Sequence, residues 1–416
     1  MEHCQENSIK SDRSVTGLVS DIVIVGGGIV GLSIASELNN RFPDSKIILI
    51  EKEGELASHA SGRNSGVLHA GFYYTPDSKK AKLTVEGNRL LTEYCLTNNL
   101  AINRCGKVVV TKDEEELNTL YELKRRGSLN GVPLEIIDEN QLDDFEPNAK
   151  TFCKALYSPT TSTVNPSELV RHLGKSLIAK KNMHILLNEA FVTKEAPTII
   201  RTKRHKINYK YLINTAGLYA DKIAHKFGVG ERYTLIPFKG LYLEYKNDNL
   251  INKHVYPVPN ISNPFLGTHF TKMVDGKVKM GPTAVPAFWR ENYHGFSKFN
   301  LVELIEILNA ETKLFYLNAF NFRKITFEEF KKYYRKYFVQ QGSQLLKKIN
   351  ASMFGDYLKP GIRAQLLDKD TKELVMDFIV EHGENSTHVL NAVSPAFTCA
   401  FSFSKFIANS IESRLN

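Results

Sequence analysis

Runs of apolar and polar positions define the first elements of the chain before any chemistry is considered. Residues 22–25, "IVIV", form a short unbroken apolar run after Asp21; three glycines follow, and apolar residues then recur at Ile29, Leu32, Ala35 and Leu38. The run reads as a buried strand over 21–25 and the recurrence as a helix over 28–40. A second apolar run ends at Glu51 and predicts a strand over 46–50. Strand, tight turn, helix and strand together make a compact βαβ unit.

Further on the pattern changes. The passage "ASHASGRNSGVLHAGFYY" (57–74) is polar and Gly-rich and too long for a simple connection, which marks it as functional. Helices are predicted over 79–98, 113–129 and 163–182, the last opening on an Asn-Pro-Ser cap signal. A strand is expected in "CGKVVV" (105–110), and 211–229 reads as strand, Gly turn and helix. Residues 232–290 carry short strands broken by Pro and Gly, residues 298–349 are helical and rich in Lys, Phe and Tyr, and "SPAFTCAFSFSKFIANSIESR" is a closing helix. The α/β pieces are interleaved with the strand-rich ones. The expected architecture is therefore α/β, with α+β character in a second domain. A Rossmann-like nucleotide domain (21–85, 150–230, 355–416) shares a discontinuous chain with an antiparallel-sheet substrate domain (86–149, 231–354), and residues 1–20 form a disordered leader.

Composition narrows the class. No apolar run approaches the roughly 20 residues that cross a bilayer, and the leader has neither a secretory h-region nor an acid-poor, Arg-rich transit pattern. Five scattered cysteines, with no CxxC spacing, suggest neither a metal site nor a disulfide framework, so a reducing cytoplasm is expected. The formal charge of +9 suits an anionic substrate or an anionic membrane surface. Its cations are spread along the chain and no nucleic-acid module is visible, so nucleic acid is not an expected partner.

Gly26, Gly28 and Gly31 form GxGxxG between a strand and a helix. In that setting the first glycine permits the turn, the second lets a pyrophosphate approach the backbone, and the third allows close helix packing. Phosphates would sit at the helix N-terminus beside Ile29 and Val30, where unpaired N–H groups favour negative charge. Glu51, followed by Lys52, is placed for ribose hydroxyls and disfavours a 2′-phosphate. The motif alone does not separate FAD from NAD; its N-terminal position in an interleaved chain favours FAD by analogy.

The segments "GRNSGVLHAGFYYTPDSKKAKL", "CGKVVV", "NTAGLYADKIA", "VYPVPN", "PFLGTHFT" and "GIRAQLLD" resemble the L-2-hydroxyglutarate dehydrogenase/oxidase family, within the D-amino-acid oxidase-like flavoproteins. The resemblance spans most of 20–410 and weakens over 298–349. It implies non-covalently bound FAD and oxidation of L-2-hydroxyglutarate at C2 to 2-oxoglutarate by hydride transfer to flavin N5. Electrons would pass to oxygen or to a membrane quinone, with the protein peripheral on the inner face of that membrane. Three positions depart from the family pattern: Lys239 and Leu241 in "PFKGLYLEY" stand where an Arg and an acid are usual, and Phe397 where a small residue is common. Lys keeps the charge of Arg but loses its bidentate fork.

Such a reaction needs a base for the hydroxyl proton, and His69 is the leading candidate, with His269 second. A dicarboxylate needs two anion receptors; Arg363 in "GIRAQ" suits one, and Lys239, Arg63, Tyr73 and Tyr74 are candidates to help with the second or with the flavin. Asn64, Ser65 and Gly66 are expected at the pyrophosphate or the ring edge, Ala216 and Gly217 at a turn close to the cofactor, and Pro395 before the closing helix, whose N-terminus favours negative charge on reduced flavin. Competing readings are an amino-acid or amine oxidase, a glycerol-3-phosphate dehydrogenase-like enzyme, an NAD-dependent dehydrogenase and a non-catalytic flavin-binding protein. The oligomeric state stays open.

Overall fold

The computed structural model describes residues 16–260 and 266–415. The βαβ unit consists of β1 (Thr16–Val25), α1 (Ile29–Arg41) and β2 (Ile47–Ile50). Strand β1 starts at Thr16, inside the stretch expected to be a disordered leader, because Thr16–Ser20 pair in parallel with His205–Tyr209; the rest of that leader lies outside the described residues. The parallel core runs in the spatial order Met183–Leu186, β2, β1, His205–Asn214, Ser386–Asn391. Helix α1, α2 (Lys79–Thr97), helix Pro166–Ile178 and the closing helix Ala396–Leu415 contribute to one apolar layer, in which Leu32, Ala35, Leu91, Leu173, Phe403 and Ile407 are buried. Burying each leucine, isoleucine or phenylalanine of this layer contributes about 1.5–3 kcal/mol.

The second layer is an eight-stranded sheet in the order Phe354–Tyr357, Leu243–Tyr245, Val278–Gly281, His269–Lys272, His254–Pro257, Lys107–Val110, Lys154–Ser158, Glu135–Asp138. It is mixed rather than purely antiparallel, since His254–Pro257 and Lys107–Val110 arrive from distant segments and pair in parallel. Strand Lys154–Ser158 belongs here, although chain from 150 onward was expected in the nucleotide domain; the chain joins the nucleotide layer only at Pro166–Ile178. A three-stranded sheet, Val285–Pro286, Tyr233–Gly240 and Gly361–Asp368, carries Arg363 on its edge strand.

The Lys- and aromatic-rich region forms helices Leu301–Leu317, Phe322–Lys331 and Arg335–Ser343. The first is inside-out. Its buried positions are Glu303, Ile307, Glu311 and Leu314, whereas Leu301, Val302, Ile305, Leu308 and Tyr316 are exposed, Ile305 at 61% and Tyr316 at 80%. Glu303 accepts the Arg290 backbone N–H at 3.0 Å, and burial pushes the Glu311 carboxyl up to about 8. Periodicity predicts such a helix without saying which stripe faces inward. Among the described residues no helix is long and apolar enough to cross a membrane.

Candidate active site

A cleft of about 570 Å³ runs from the glycine turn to His69 and Arg363, and a second cavity of about 80 Å³ shares His69, Ser65, Tyr242, Arg363 and Ser394 with its far end. The turn is built as the spacing demands. Gly26 sits at φ +109°, and a Cβ there would lie 2.6 Å from the Thr215 carbonyl oxygen. A Cβ on Gly31 would meet the Gly26 carbonyl oxygen at 2.1 Å, so α1 can pack against the turn only without one. Gly26, Gly28, Ile29 and Val30 line the cleft, as do Glu51 and Lys52. The Glu51 carboxylate is fixed by the N–H groups of Gly27 (2.8 Å) and Glu53 (3.0 Å).

The loop after β2 lines the same wall. Ser61, which the sequence reading passed over, accepts the Ile29 N–H at 2.9 Å and so caps α1 from 32 residues away. Asn64 and Ser65 line the cleft, yet Asn64 spends its amide donors on the Ala60 and Ser61 carbonyls and its oxygen on the Gly66 N–H. Gly66 itself is not part of the wall; it has φ +75° and packs against the Val164 carbonyl oxygen, which a Cβ would approach to 2.4 Å. Arg63 lines the cleft with its guanidinium 4.4 Å from the centre of the Tyr293 ring. Ala216 and Gly217 form the opposite wall, and Ser394, Pro395, Phe397 and Thr398 bring in the start of the closing helix.

At the mouth lies an ion network. Lys52 contacts Glu53 (2.6 Å) and Glu291 (2.5 Å), Lys298 contacts the same two carboxylates, and His59 reaches Glu53 at 2.9 Å. Burial works against ionisation of Glu53, but hydrogen bonds from Lys298, Lys52 and His59 outweigh it and hold the carboxyl far below its usual range.

The other end is built differently. The His69 backbone is clamped by Thr398, whose hydroxyl accepts its N–H at 3.1 Å, and by Asn88, whose amide reaches its carbonyl at 3.1 Å. Its Nδ1 is buried with no hydrogen-bond partner among the described residues. Burial, helped by the Lys107 charge, pulls the imidazole down to about 3, so it is neutral across the physiological range. His269 pairs its Nδ1 with the Gly267 carbonyl at 2.8 Å, which leaves Nε2 as the acceptor, and stacks on Tyr256 at 3.7 Å. On the other side Lys107 is fully buried with its Nζ 4.6–4.7 Å from the ring centres of Phe72, Tyr73 and Tyr256. Desolvation lowers it to about 7, and the aromatic faces offset part of the cost. Arg363 donates to the Thr283 carbonyl at 3.1 Å and lines both cavities. No carboxylate lines the small cavity among the described residues.

Three expected site residues, Lys239, Tyr73 and Tyr74, lie elsewhere. Lys239 reaches neither cavity; its Nζ donates to Asn292 at 3.1 Å. The reason is register: Lys239 is paired with Ile362 and Arg363 with Phe238, so the two cations leave the strand pair on opposite faces. Leu241 lines neither cavity. Tyr74 and Tyr73 are likewise outside both, packed with Phe72, Val109 and Leu120. Conversely, Lys80, Tyr242, Tyr256 and Gln365 line the small cavity and were not read from the sequence. The signal for Lys80 was present: with Thr84, Gly87, Leu91 and Cys95 it falls on the buried stripe of α2.

Comparison with known proteins agrees with this geometry. The family model described as FAD dependent oxidoreductase matches residues 21–409. The chain is 36% identical to human mitochondrial L-2-hydroxyglutarate dehydrogenase, over 97% of this chain and 90% of that protein. It is 33% identical to the Escherichia coli L-2-hydroxyglutarate dehydrogenase, over 95% and 94%. Among solved structures, the FAD-bound L-alpha-glycerophosphate oxidase of Mycoplasma pneumoniae superposes with a TM-score of 0.72 at 22% identity, covering 95% of each chain. Glycine oxidase from Geobacillus kaustophilus gives 0.69 at 15%, again with 95% of each chain covered. The residues present fit FAD: the turn has the close approaches that only glycine allows, Glu51 is fixed beside it, and the cleft continues from there to His69. The chain therefore belongs to the L-2-hydroxyglutarate dehydrogenase family of FAD-dependent oxidoreductases, and is an FAD-dependent dehydrogenase acting on a CH–OH group.

Proposed function

We propose that the protein oxidises L-2-hydroxyglutarate to 2-oxoglutarate, with FAD held non-covalently in the long cleft. The observation that carries this reading is the small cavity, which opens onto that cleft, holds Arg363 and two neutral histidines, and has no carboxylate among its described lining residues. Bound FAD supplies the hydride acceptor at N5 for the C2–H bond. Arg363 receives the C1 carboxylate through its planar fork and sets which face of C2 is presented. His69, neutral and with a buried unpartnered Nδ1, takes the hydroxyl proton as the C2–O bond becomes a carbonyl. His269 is held in one tautomer by Gly267 and orients the same hydroxyl through Nε2. Tyr242 and Tyr256 line the small cavity beside these groups.

The test is the visible spectrum of the purified protein mixed without oxygen with L-2-hydroxyglutarate, its D-isomer, glycerol 3-phosphate and a panel of amino acids. Bleaching by the L-acid alone is expected. Bleaching by an amino acid or by glycerol 3-phosphate, with none by the L-acid, would replace the substrate.

The acceptor that fits best is a membrane quinone rather than oxygen, with the protein peripheral on the inner, cytoplasmic face of the bilayer. The inside-out helix supports this reading: Leu301, Val302, Ile305 and Leu308 face outward, and Lys313, Arg323 and Lys324 of the same helical region are exposed, as on helices that lie in an anionic interface. Flotation with vesicles containing anionic lipid should carry the protein, and Ile305→Glu with Leu308→Glu should release it. Equal flotation of both would remove the helix from that role.

A further inference from the structure

With Lys239 turned away, the small cavity still has to receive two carboxylates if the substrate proposed above is right. We propose that Lys80 is the receptor for the distal carboxylate and sets the preference for a dicarboxylic over a monocarboxylic 2-hydroxy acid. Lys80 lies in the first turn of α2, is 9% exposed, and lines the same cavity as Arg363, His69, His269 and Gln365. Its Nζ has no hydrogen-bond or ion-pair partner among the described residues; the nearest aromatic rings, Tyr74 and Phe378, have their centres 5.9 Å away.

The one carboxylate in the neighbourhood is already in use. Asp377 accepts the backbone N–H groups of Lys79 (2.9 Å), Lys80 (3.1 Å) and Phe378 (2.8 Å) and so caps α2 rather than pairing with the ammonium. Asp377 attracts the ammonium only through space and offsets part of its desolvation. A largely buried ammonium with no hydrogen-bonded counter-ion still gains from an anion that joins it, and a cavity with a cation on two elements and no acid among its described lining calls for a dianion. The division of labour follows from shape. The Arg363 fork fixes a planar carboxylate next to the reacting carbon, whereas the compact Lys80 ammonium needs only proximity and accepts the end of a flexible chain. Desolvation brings the ammonium down to about 8, which leaves it charged at neutral pH.

The experiment compares wild type, Lys80→Met and Lys80→Arg as flavin-loaded proteins. Rapid anaerobic mixing gives the affinity and reduction rate for L-2-hydroxyglutarate and for L-2-hydroxybutyrate, which lacks the distal carboxylate; glutarate and butyrate serve as non-reacting probes through the shift of the flavin band. Lys80→Met should weaken glutarate and the diacid roughly a hundredfold and lower the diacid-to-monoacid preference by the same factor. Lys80→Arg should restore most of it. An unchanged preference, or equal weakening of diacid and monoacid, would overturn the assignment. If Lys80→Met does not fold, Lys80→Gln is measured in the same way. Because glutarate binding needs no turnover, this arm reads Lys80 even if L-2-hydroxyglutarate proves not to reduce the flavin, a failure that would count against the substrate and not against the receptor.

Discussion

The two ends of the cleft use charge in opposite ways. At the mouth every charge is answered: Lys52 and Lys298 share Glu53 and Glu291, and His59 joins them. At the far end the Lys107 ammonium and the His69 Nδ1 are buried with no hydrogen-bond partner among the described residues, and the Lys80 ammonium lines the small cavity with no hydrogen-bond or ion-pair partner among them. A paired network is complete without a ligand and serves to hold elements together; buried groups with unfilled hydrogen-bonding capacity are stabilised by what binds. The mouth is thus read as structure and the far end as chemistry, although the mouth has more charged groups.

The strongest way to break this contrast is to destroy the frame that both ends share. Gly31→Val should cost about 3 kcal/mol or more, because its side chain would occupy the space of the Gly26 carbonyl and Thr215. It should purify without flavin and with a lower melting temperature; a yellow, stable variant would show that α1 can back away from the turn. Next come changes confined to the far end. Arg363→Ala should retain flavin and lose roughly three orders of magnitude in kcat/KM for the hydroxy acid, with Arg363→Lys intermediate. His69→Ala should slow flavin reduction roughly 10²–10⁴-fold, and a rate within tenfold of wild type would transfer the base role to His269.

Acid separates the ends by a smaller margin. His69 and His254 are held near 3 in the folded protein, by burial first and neighbouring positive charge second, so below about pH 6.5 the unfolded chain binds protons that the folded chain refuses. Stability then falls with falling pH, by about 2 kcal/mol per residue at pH 5. Glu53 runs the other way, its pairing surviving until far more acidic conditions, and it offsets the histidine of that network, His59, which burial and the Lys52 charge also hold below its ordinary value. Amide exchange at pH 7 and pH 5 should show strand His254–Pro257 and the residues around His69 loosening before the mouth; simultaneous loosening would contradict the contrast. The acid limb of kcat/KM should likewise lie well below pH 6.5. The smallest effect belongs to Lys239→Met, which should change stability by about 1 kcal/mol or less and leave diacid selectivity unaltered, as measured by melting and steady-state kinetics.

The glycine turn was the part of the cleft most legible in the sequence. Gly26, Gly28, Gly31 and Glu51 lie within 26 residues, and their spacing maps directly onto one turn and one strand end. The far end is assembled from α2, the Gly361–Asp368 strand, the second sheet and the start of the closing helix, so its membership depends on register that no local pattern carries. Lys239 illustrates this: its neighbours in sequence point to the site, and a single step along the strand sends it to the wrong face. Lys80 and Lys107 illustrate the converse, being lysines at positions where the period of α2 and the run "KVVV" call for buried residues. A charged residue that keeps to an apolar stripe is a signal that charge counting overlooks. The helix Leu301–Leu317 shows the remaining gap, since its two stripes are equally periodic and only tertiary packing decides which one is covered.

The interleaving also bears on how the protein is made. The first strand and helix of the nucleotide layer are made well before the parallel strand Ser386–Asn391 and the helix Ala396–Leu415, which packs on α1 and α2 and brings Thr398 to the His69 backbone. Until they emerge, the apolar faces of Leu32, Ala35 and Leu91 have no cover. The nascent chain must therefore carry an exposed, half-built layer until these segments have been made, a state prone to aggregation, and a truncation before Ala396 would leave that layer open.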